Sequence, residues 1–279
     1  MLGLLLGVPL LVVALFTVSF AYLAPRYEAR KRPDAQKFLQ HADKAFFLVW
    51  YRRLTRRLPA NPRCKICYVP FGGLGRLLGS RPSRMNPNFC AACFESAPLG
   101  GYETDVGILF ADARGYTAWA KRGTPTDCAT SLNRFYNSAT ASLMAHDAII
   151  DKFVGDEVMA LFVTAMPTLR SKMCDHMLAA AHDLLATARD ACGELPLGIG
   201  LHCGTAWVGN VGSPDIRDFT ALGDVVNMAA RLQGCAGPGQ IVMSQTVHDR
   251  LTSPPPTSEA DFIVKGNEDT VHTHVVSPG

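Results

Sequence analysis

The sequence predicts an α+β fold with a mainly antiparallel sheet and helices on one side, filling the last two-thirds of the chain. From about Gly101 onward, apolar runs of strand length alternate with stretches of helical spacing. Ile149 to Phe162, IIDKFVGDEVMALF, reads as two short strands joined through Val154, Gly155 and Asp156, the pattern of a hairpin. A breaker cluster from Gly234 to Gly239 and a Pro-rich surface loop from Ser253 to Ser258 set off the remaining elements.

With 279 residues, 48% of them hydrophobic and 18% charged, the chain can bury a sizeable core in one or two domains. Its charge is divided. Residues before 86 carry 15 Lys and Arg against 3 Asp and Glu, net +12, which leaves 12 against 21, net −9, for the rest. An acidic back half argues against nucleic acid as its partner, because phosphate backbones are bound by clustered Lys and Arg.

Residues 1–24 are expected to form a transmembrane helix, since Met1 to Leu23 contains no charged residue and is long enough at helical rise to cross a hydrocarbon core. A cleaved signal peptide is the competing reading, but the stretch has neither a positive start nor a clear small-x-small site before Pro25. Arg26, Arg30, Lys31, Arg32 and Lys37 follow at once, which implies a single-pass membrane protein with a short N-terminus outside and its later domains cytoplasmic. In residues 25–58, Phe38, Ala42, Phe46, Trp50, Leu54 and Leu58 recur every four residues, while Arg52, Arg53, Arg56 and Arg57 crowd the end. This basic juxtamembrane helix suits membrane lipid, a twin helix in a dimer, or simple packing on the next domain.

Residues 59–98 hold Cys64-Lys-Ile-Cys67 and Cys90-Ala-Ala-Cys93, a four-Cys metal-binding module by spacing, because each pair can wrap one side of a tetrahedral ion. Structural zinc is the first expectation. An iron–sulfur cluster would use the same thiolates, and disulfides are the bland alternative that a cytosolic location disfavours. Arg63, Lys65, Arg76, Arg81 and Arg84 keep a nucleic-acid-binding ribbon open, although a nearby bilayer is a simpler use for them. Cys128, Cys174, Cys192, Cys203 and Cys235 lack metal spacing and read as small core residues.

Downstream, Val106 to Ala111 has the apolarity of a buried strand and ends in a lone carboxylate, Asp112, followed by a Gly-containing turn. A carboxylate beside free amides at a helix start suits a divalent cation carrying a polyphosphate; an ordinary helix cap is the plainer reading. Asp156 sits at the tip of the predicted hairpin. Thr126 to His146 and Ser171 to Cys192 carry helical spacing, and Leu197 to Cys203, Ala206 to Val211, Gln240 to Met243 and Phe262 to Val264 look like strands.

Three segments taken together, ILFADARGYT from Ile108, the hairpin from Ile149, and FTALGDVVNMAARL from Phe219 to Leu232, resemble the catalytic domain of class III nucleotidyl (adenylate/guanylate) cyclases in the family's order. The resemblance covers residues 99–279. It implies a ferredoxin-like βαββαβ core acting as a homodimer, and conversion of ATP to 3′,5′-cyclic AMP and pyrophosphate with two Mg²⁺ or Mn²⁺ per active site. On the same resemblance, Asp112 and Asp156 match the metal-binding aspartates, with the carbonyl of Ala113 as a further ligand. Tyr116 and Thr117 match the phosphate-cradling loop and Lys265 a lysine at the terminal phosphates. Asn227 and Arg231, on one helical face, match the catalytic pair that orients the ribose and stabilises charge on the α-phosphate. Lys152 and Thr220 match the base-reading positions, where adenine-specific members place Lys and guanine-specific ones Glu at the first. The resemblance thus implies ATP, with GTP or a catalytically silent nucleotide-binding domain as alternatives. His146-Asp147-Ala148 departs from the family pattern, which often has a Gly pair there.

Overall fold

The structure is a computed structural model that describes residues 63–277 except 66, 72–76, 78–80, 84–86, 95–98, 165, 167–168, 192–194, 214–216 and 264–269. The expected transmembrane and juxtamembrane helices, residues 1–24 and 25–58, lie outside the described residues, as do Cys192, Val264 and Lys265. Among the described residues no helix is long and apolar enough to cross a membrane. The chain divides into two units, Met1–Arg81 with Cys90–Pro98 and Pro82–Phe89 with Leu99–Gly279. In the first, Arg63 and Pro70 form an isolated antiparallel bridge and α1 (Ala91–Phe94) is a single helical turn.

In the second unit, the chain runs through β1 (Gly100–Ala113), α2 (Tyr116–Ala120), α3 (Pro125–Ala145), β2 (Ile149–Val154), β3 (Glu157–Val163), α4 (Met173–Ala191) and β4 (Leu197–Gly212). It continues through β5 (Arg217–Leu222), α5 (Asp224–Cys235), β6 (Ile241–Ser244), α6 (Gln245–His248), β7 (Ser258–Ile263) and β8 (Thr270–Val276). The strands form one sheet in the order β2-β3-β1-β4-β6-β8-β7, with β5 also on β4. Every pairing is antiparallel except β4 with β6. The first four strands and their helices make a βαββαβ unit with β1 at its centre, where Val106, Ile108, Leu109 and Ala111 are fully buried.

Two expected strands, Leu197–Cys203 and Ala206–Val211, are one. The strand β4 is 16 residues long and pairs with β1 from Leu197 to Asn210; its far edge is shared, β6 taking Ile199–Leu201 and β5 taking Trp207–Gly212. The glycine at 204 reads as an interruption in the sequence, but it faces Val225, whose Cγ2 would lie 3.1 Å from an added Cβ, so it is a close-approach position within the strand.

The helices cover both faces of the sheet, which corrects the expectation of one. A Cβ added at Gly107 would run into Met177 of α4, and one at Gly200 into the backbone of Ala229 and Gln233 of α5. Gly107 pairs with Cys203, three residues from Gly200, so the two glycines point to opposite faces. On the α5 face, Leu232 and Ala236 pack with Val242 and Val275 in a small core. On the other, Cys174 and Cys203 are buried with sulfurs 3.9 Å apart, as core cysteines should be, whereas Cys128 and Cys235 are only half-buried.

Helix α3 starts where its chemistry says it should. Thr124 and Asp127 cap it reciprocally and Pro125 occupies the first turn. It ends at Ala145 with His146 as the cap, and Asp147 follows at φ 63° while Ala148 N–H reaches back to Leu143 O at 3.1 Å. That left-handed position is one Gly ordinarily fills, which accounts for the departure at His146-Asp147-Ala148.

Candidate active site

Asp112 and Asp156 meet at one end of the sheet because β1 and β3 are neighbours. Asp112 lies opposite Glu157 in the register, and the amide of Ala113 donates to the carbonyl of Asp156 at 3.3 Å, tying the hairpin tip to the strand end. Gly155, at φ 60°, makes the tight turn between β2 and β3. Tyr136 of α3 fixes that turn from the side: its ring stacks on Phe153 with centroids 4.2 Å apart, and its hydroxyl donates to Gly155 O at 2.6 Å. The sequence reading did not single out Tyr136, since nothing in residue spacing joins positions 19 apart on two elements.

Asp112 opposes the ionisation of its neighbours. Burial and the neighbouring Asp112 push Asp156 up to about 6, and burial with the same neighbour also raises Glu157. Arg114 Nη1 stands 3.5 Å from Asp112 Oδ2 while its other nitrogen donates to Gln233 O of α5, and among the described residues no cation pairs with Asp156. Acid oxygens converging with so little neutralisation make a hard donor set for a divalent ion.

Just past Asp112, α2 begins at Tyr116 behind Gly115 at φ 85°, which has no side chain to cap the first amides. Trp119 N–H makes the first backbone bond, to Gly115 O at 3.1 Å. Tyr116 and Thr117 thus open a turn beside Asp112, and burial, Cys128 and Asp156 together raise the Tyr116 phenol.

A second group of side chains gathers where β2 meets β5. Lys152 Nζ is 2.8 Å from Asp218 Oδ2 and 3.7 Å from Asp151 Oδ1, and the Thr220 hydroxyl donates to Asp151 Oδ2 at 2.7 Å. Asp218 holds the ammonium above its ordinary pKa, so it stays charged. Asp151 is fully buried, and its Oδ1 accepts no hydrogen bond. Sequence reasoning found Lys152 and Thr220 but missed Asp151 and Asp218, which lie one and two residues from them and look like ordinary strand polars.

Burial is the main cause that raises Asp151 from 3.8 to about 6. At about 1.4 kcal/mol per unit, ionised Asp151 costs the fold on the order of 3 kcal/mol. A carboxyl raised in the folded state contributes its full stability below the unfolded pKa and loses it as pH rises through the folded value. Asp151→Asn should therefore be more stable than wild type above pH ~6 and equal to it near pH ~4. Urea midpoints across that range check this; a wild type more stable than the variant at neutral pH would show that Lys152 more than compensates the buried charge.

Asn227 and Arg231 lie four residues apart on α5, Asn227 exposed and Arg231 half-buried. Gly200 lets this helix sit directly on β4, where any side chain would strike the helix backbone. Among the described residues no hydrogen bond or ion pair joins either residue to Asp112 or Asp156, and none joins the Lys152 group to that pair. The structure thus joins Asp112 to Asp156 and Lys152 to the group around Thr220, while Lys265 lies outside the described residues.

A family model described as the adenylate and guanylate cyclase catalytic domain matches residues 101–278. An uncharacterized protein of Mycobacterium tuberculosis is 32% identical over 161 residues, 57% of this chain and 29% of its own length. Adenylate cyclase 1 of Rhizobium meliloti is 32% identical over 149 residues, 50% of this chain and 22% of that protein. The chain thus spans less than a third of either relative. Among solved structures, the guanylyl cyclase Cya2 is 25% identical with a TM-score of 0.54, over 65% of this chain and 96% of that one. With the carboxylate pair, the hairpin and the α5 motif placed in order on this sheet, and a family model matching well over half its length, the chain belongs to the adenylate and guanylate cyclase catalytic domain family.

Proposed function

We propose that this chain is an adenylate cyclase that converts ATP to 3′,5′-cyclic AMP and pyrophosphate at the interface of a homodimer. One observation carries the choice of base: a charged donor, Lys152, stands beside Thr220, whose hydroxyl proton is taken by the buried Asp151. Adenine offers an acceptor at N1 and a donor at its exocyclic amine, whereas guanine offers a donor at N1 and an acceptor at O6. The ammonium has three donors and gives one to Asp218, so others are free for N1. Thr220 gives its proton to Asp151 and so faces the base as an acceptor.

In the reaction the 3′-oxygen loses its proton and bonds to the α-phosphorus, and the bond from that phosphorus to the β-bridging oxygen breaks to release pyrophosphate. Asp112 and Asp156, with the carbonyl of Ala113, would hold two Mg²⁺ or Mn²⁺ ions. When bound, these ions lower the pKa of the 3′-hydroxyl and neutralise the triphosphate. The amides of Tyr116 and Thr117 would cradle the β- and γ-phosphates, and the family resemblance assigns Lys265 to the terminal ones. Asn227 orients the ribose; Arg231 donates to the α-phosphate as negative charge builds there. The uncharged residues 1–24 and the basic stretch after them support an anchor in a membrane, with this chemistry on the cytoplasmic side.

Guanylate cyclase is the second reading, favoured by the likeness to Cya2. Lys152→Glu separates the two. It removes the N1 donor and places an acceptor against a carboxylate, so kcat/KM for ATP should fall by about tenfold to a hundredfold, the scale of one or two lost base contacts. Unchanged ATP kinetics in the variant would take Lys152 out of the base pocket.

A further inference from the structure

The four cysteines of the first unit form a closed cage. Cys64, Cys67, Cys90 and Cys93 are all buried, none of them in a disulfide, and their sulfurs lie within 4.8 Å of one another. Cys67 Sγ and Cys90 Sγ, from different pairs, are 3.6 Å apart. Four thiolates about 2.3 Å from one tetrahedral ion stand about 3.8 Å from each other, so this spacing encloses a single ion. A disulfide would require about 2 Å between two sulfurs. A multinuclear iron–sulfur cluster spreads its thiolates over several irons and holds them farther apart.

The backbone repeats one motif at both pairs. Cys67 N–H points at Cys64 Sγ at 3.5 Å, and Cys93 N–H at Cys90 Sγ at 3.3 Å. Such donors disperse the charge of a metal-bound thiolate and orient it. At the first pair, Tyr68 takes φ 60° and its amide bonds Cys64 O at 2.8 Å, while Cys64 N–H bonds Val69 O at 3.0 Å. At the second, α1 curls the chain so that Cys93 and Phe94 both donate to Cys90 O.

Among the described residues of this unit the buried apolar side chains besides the cysteines are Val69, Pro70, Phe71 and Phe94. Among the described residues no carboxylate or imidazole belongs to the cluster. A pure thiolate tetrahedron selects zinc over the hard ions that suit Asp112 and Asp156.

We propose that Cys64, Cys67, Cys90 and Cys93 bind one structural zinc ion, separate from the divalent ions of the catalytic carboxylates, and that the fold of this module depends on it. The proposal is independent of the reaction assigned to residues 99–279. Elemental analysis of the full-length chain, purified without chelator, should give about one zinc per chain. The double variant Cys64→Ser, Cys90→Ser should lose at least about nine-tenths of it, since two remaining thiolates hold zinc weakly.

A measurement on wild type guards against a variant that merely misfolds. Titration with an organomercurial in the presence of a zinc-sensitive dye should release the ion as the four thiols react, and limited proteolysis should then open the chain between residues 63 and 94 while 99–279 stays resistant. Chains grown with cobalt should show the intense absorption of a tetrahedral cobalt thiolate site. Iron in place of zinc, a metal-free native chain with freely reactive thiols, or zinc retained by the double variant would each overturn the proposal.

Discussion

Asp112→Ala should reduce cyclase turnover by roughly a thousandfold or more, at every Mg²⁺ or Mn²⁺ concentration. The expectation follows from how few groups can hold a cation at the end of β1. Asp112 and Asp156 supply the side-chain oxygens there, and Asp156 already resists ionisation because of burial and its neighbour. Raising the metal concentration cannot restore a missing ligand, so the defect should not be rescued by saturation. The fold should survive: the Asp112 side chain is partly exposed and its contact with Arg114 is a long 3.5 Å, worth at most about 1 kcal/mol. Substantial residual cyclic nucleotide synthesis by a folded Asp112→Ala chain would remove Asp112 from the metal site.

The second large effect is a recovery. Among the described residues no hydrogen bond or ion pair joins the carboxylate pair to the Lys152 group or to Asn227 and Arg231, which suits a site assembled across a two-fold axis. Asp112 and Asp156 would then come from one subunit, and Lys152, Thr220, Asn227, Arg231 and Lys265 from the other. Asp112→Ala and Arg231→Ala should each be inactive as homodimers, because every site lacks one component. In a mixed dimer both lesions fall in the same site and leave the other whole. With random exchange about half the dimers are mixed, each with one of two sites working, so co-expression should restore roughly a quarter of wild-type activity. Absence of any recovery, with mixed dimers demonstrated by differential tags, would place the site within one chain or make the two sites interdependent.

Much of this arrangement is legible in the sequence wherever chemistry is local. The hairpin from Ile149 announces itself by two apolar runs around Val154-Gly155-Asp156, and its strands and turn fall where expected; the apolar run Val106 to Ala111 marks only the second half of β1, which begins at Gly100. Helix α3 is readable within a residue at either end. What escapes is what depends on neighbours distant in the chain. In β5, RDFTAL has too little alternation to read as a strand, and it exists because β4 extends past β6 and leaves an edge to be paired. In β8, TVHTHVV hides its pattern behind histidines, of which His274 is buried and held by Thr257 and Gln245. The side chosen by α5 is set by Gly200, whose lack of a side chain matters only once the helix lies on it. Asp151, Asp218, Tyr136 and Arg114 gain their significance from partners 19 to 119 residues away, and no periodicity records such pairs.

The most direct measurement of the central claim is the product formed when the purified chain is given equimolar ATP and GTP with Mn²⁺ or Mg²⁺. A donor at Lys152 beside an acceptor at Thr220 predicts cyclic AMP and pyrophosphate in equal amounts, with GTP largely untouched. Cyclic GMP as the main product, or no cyclic nucleotide from either substrate, would contradict it.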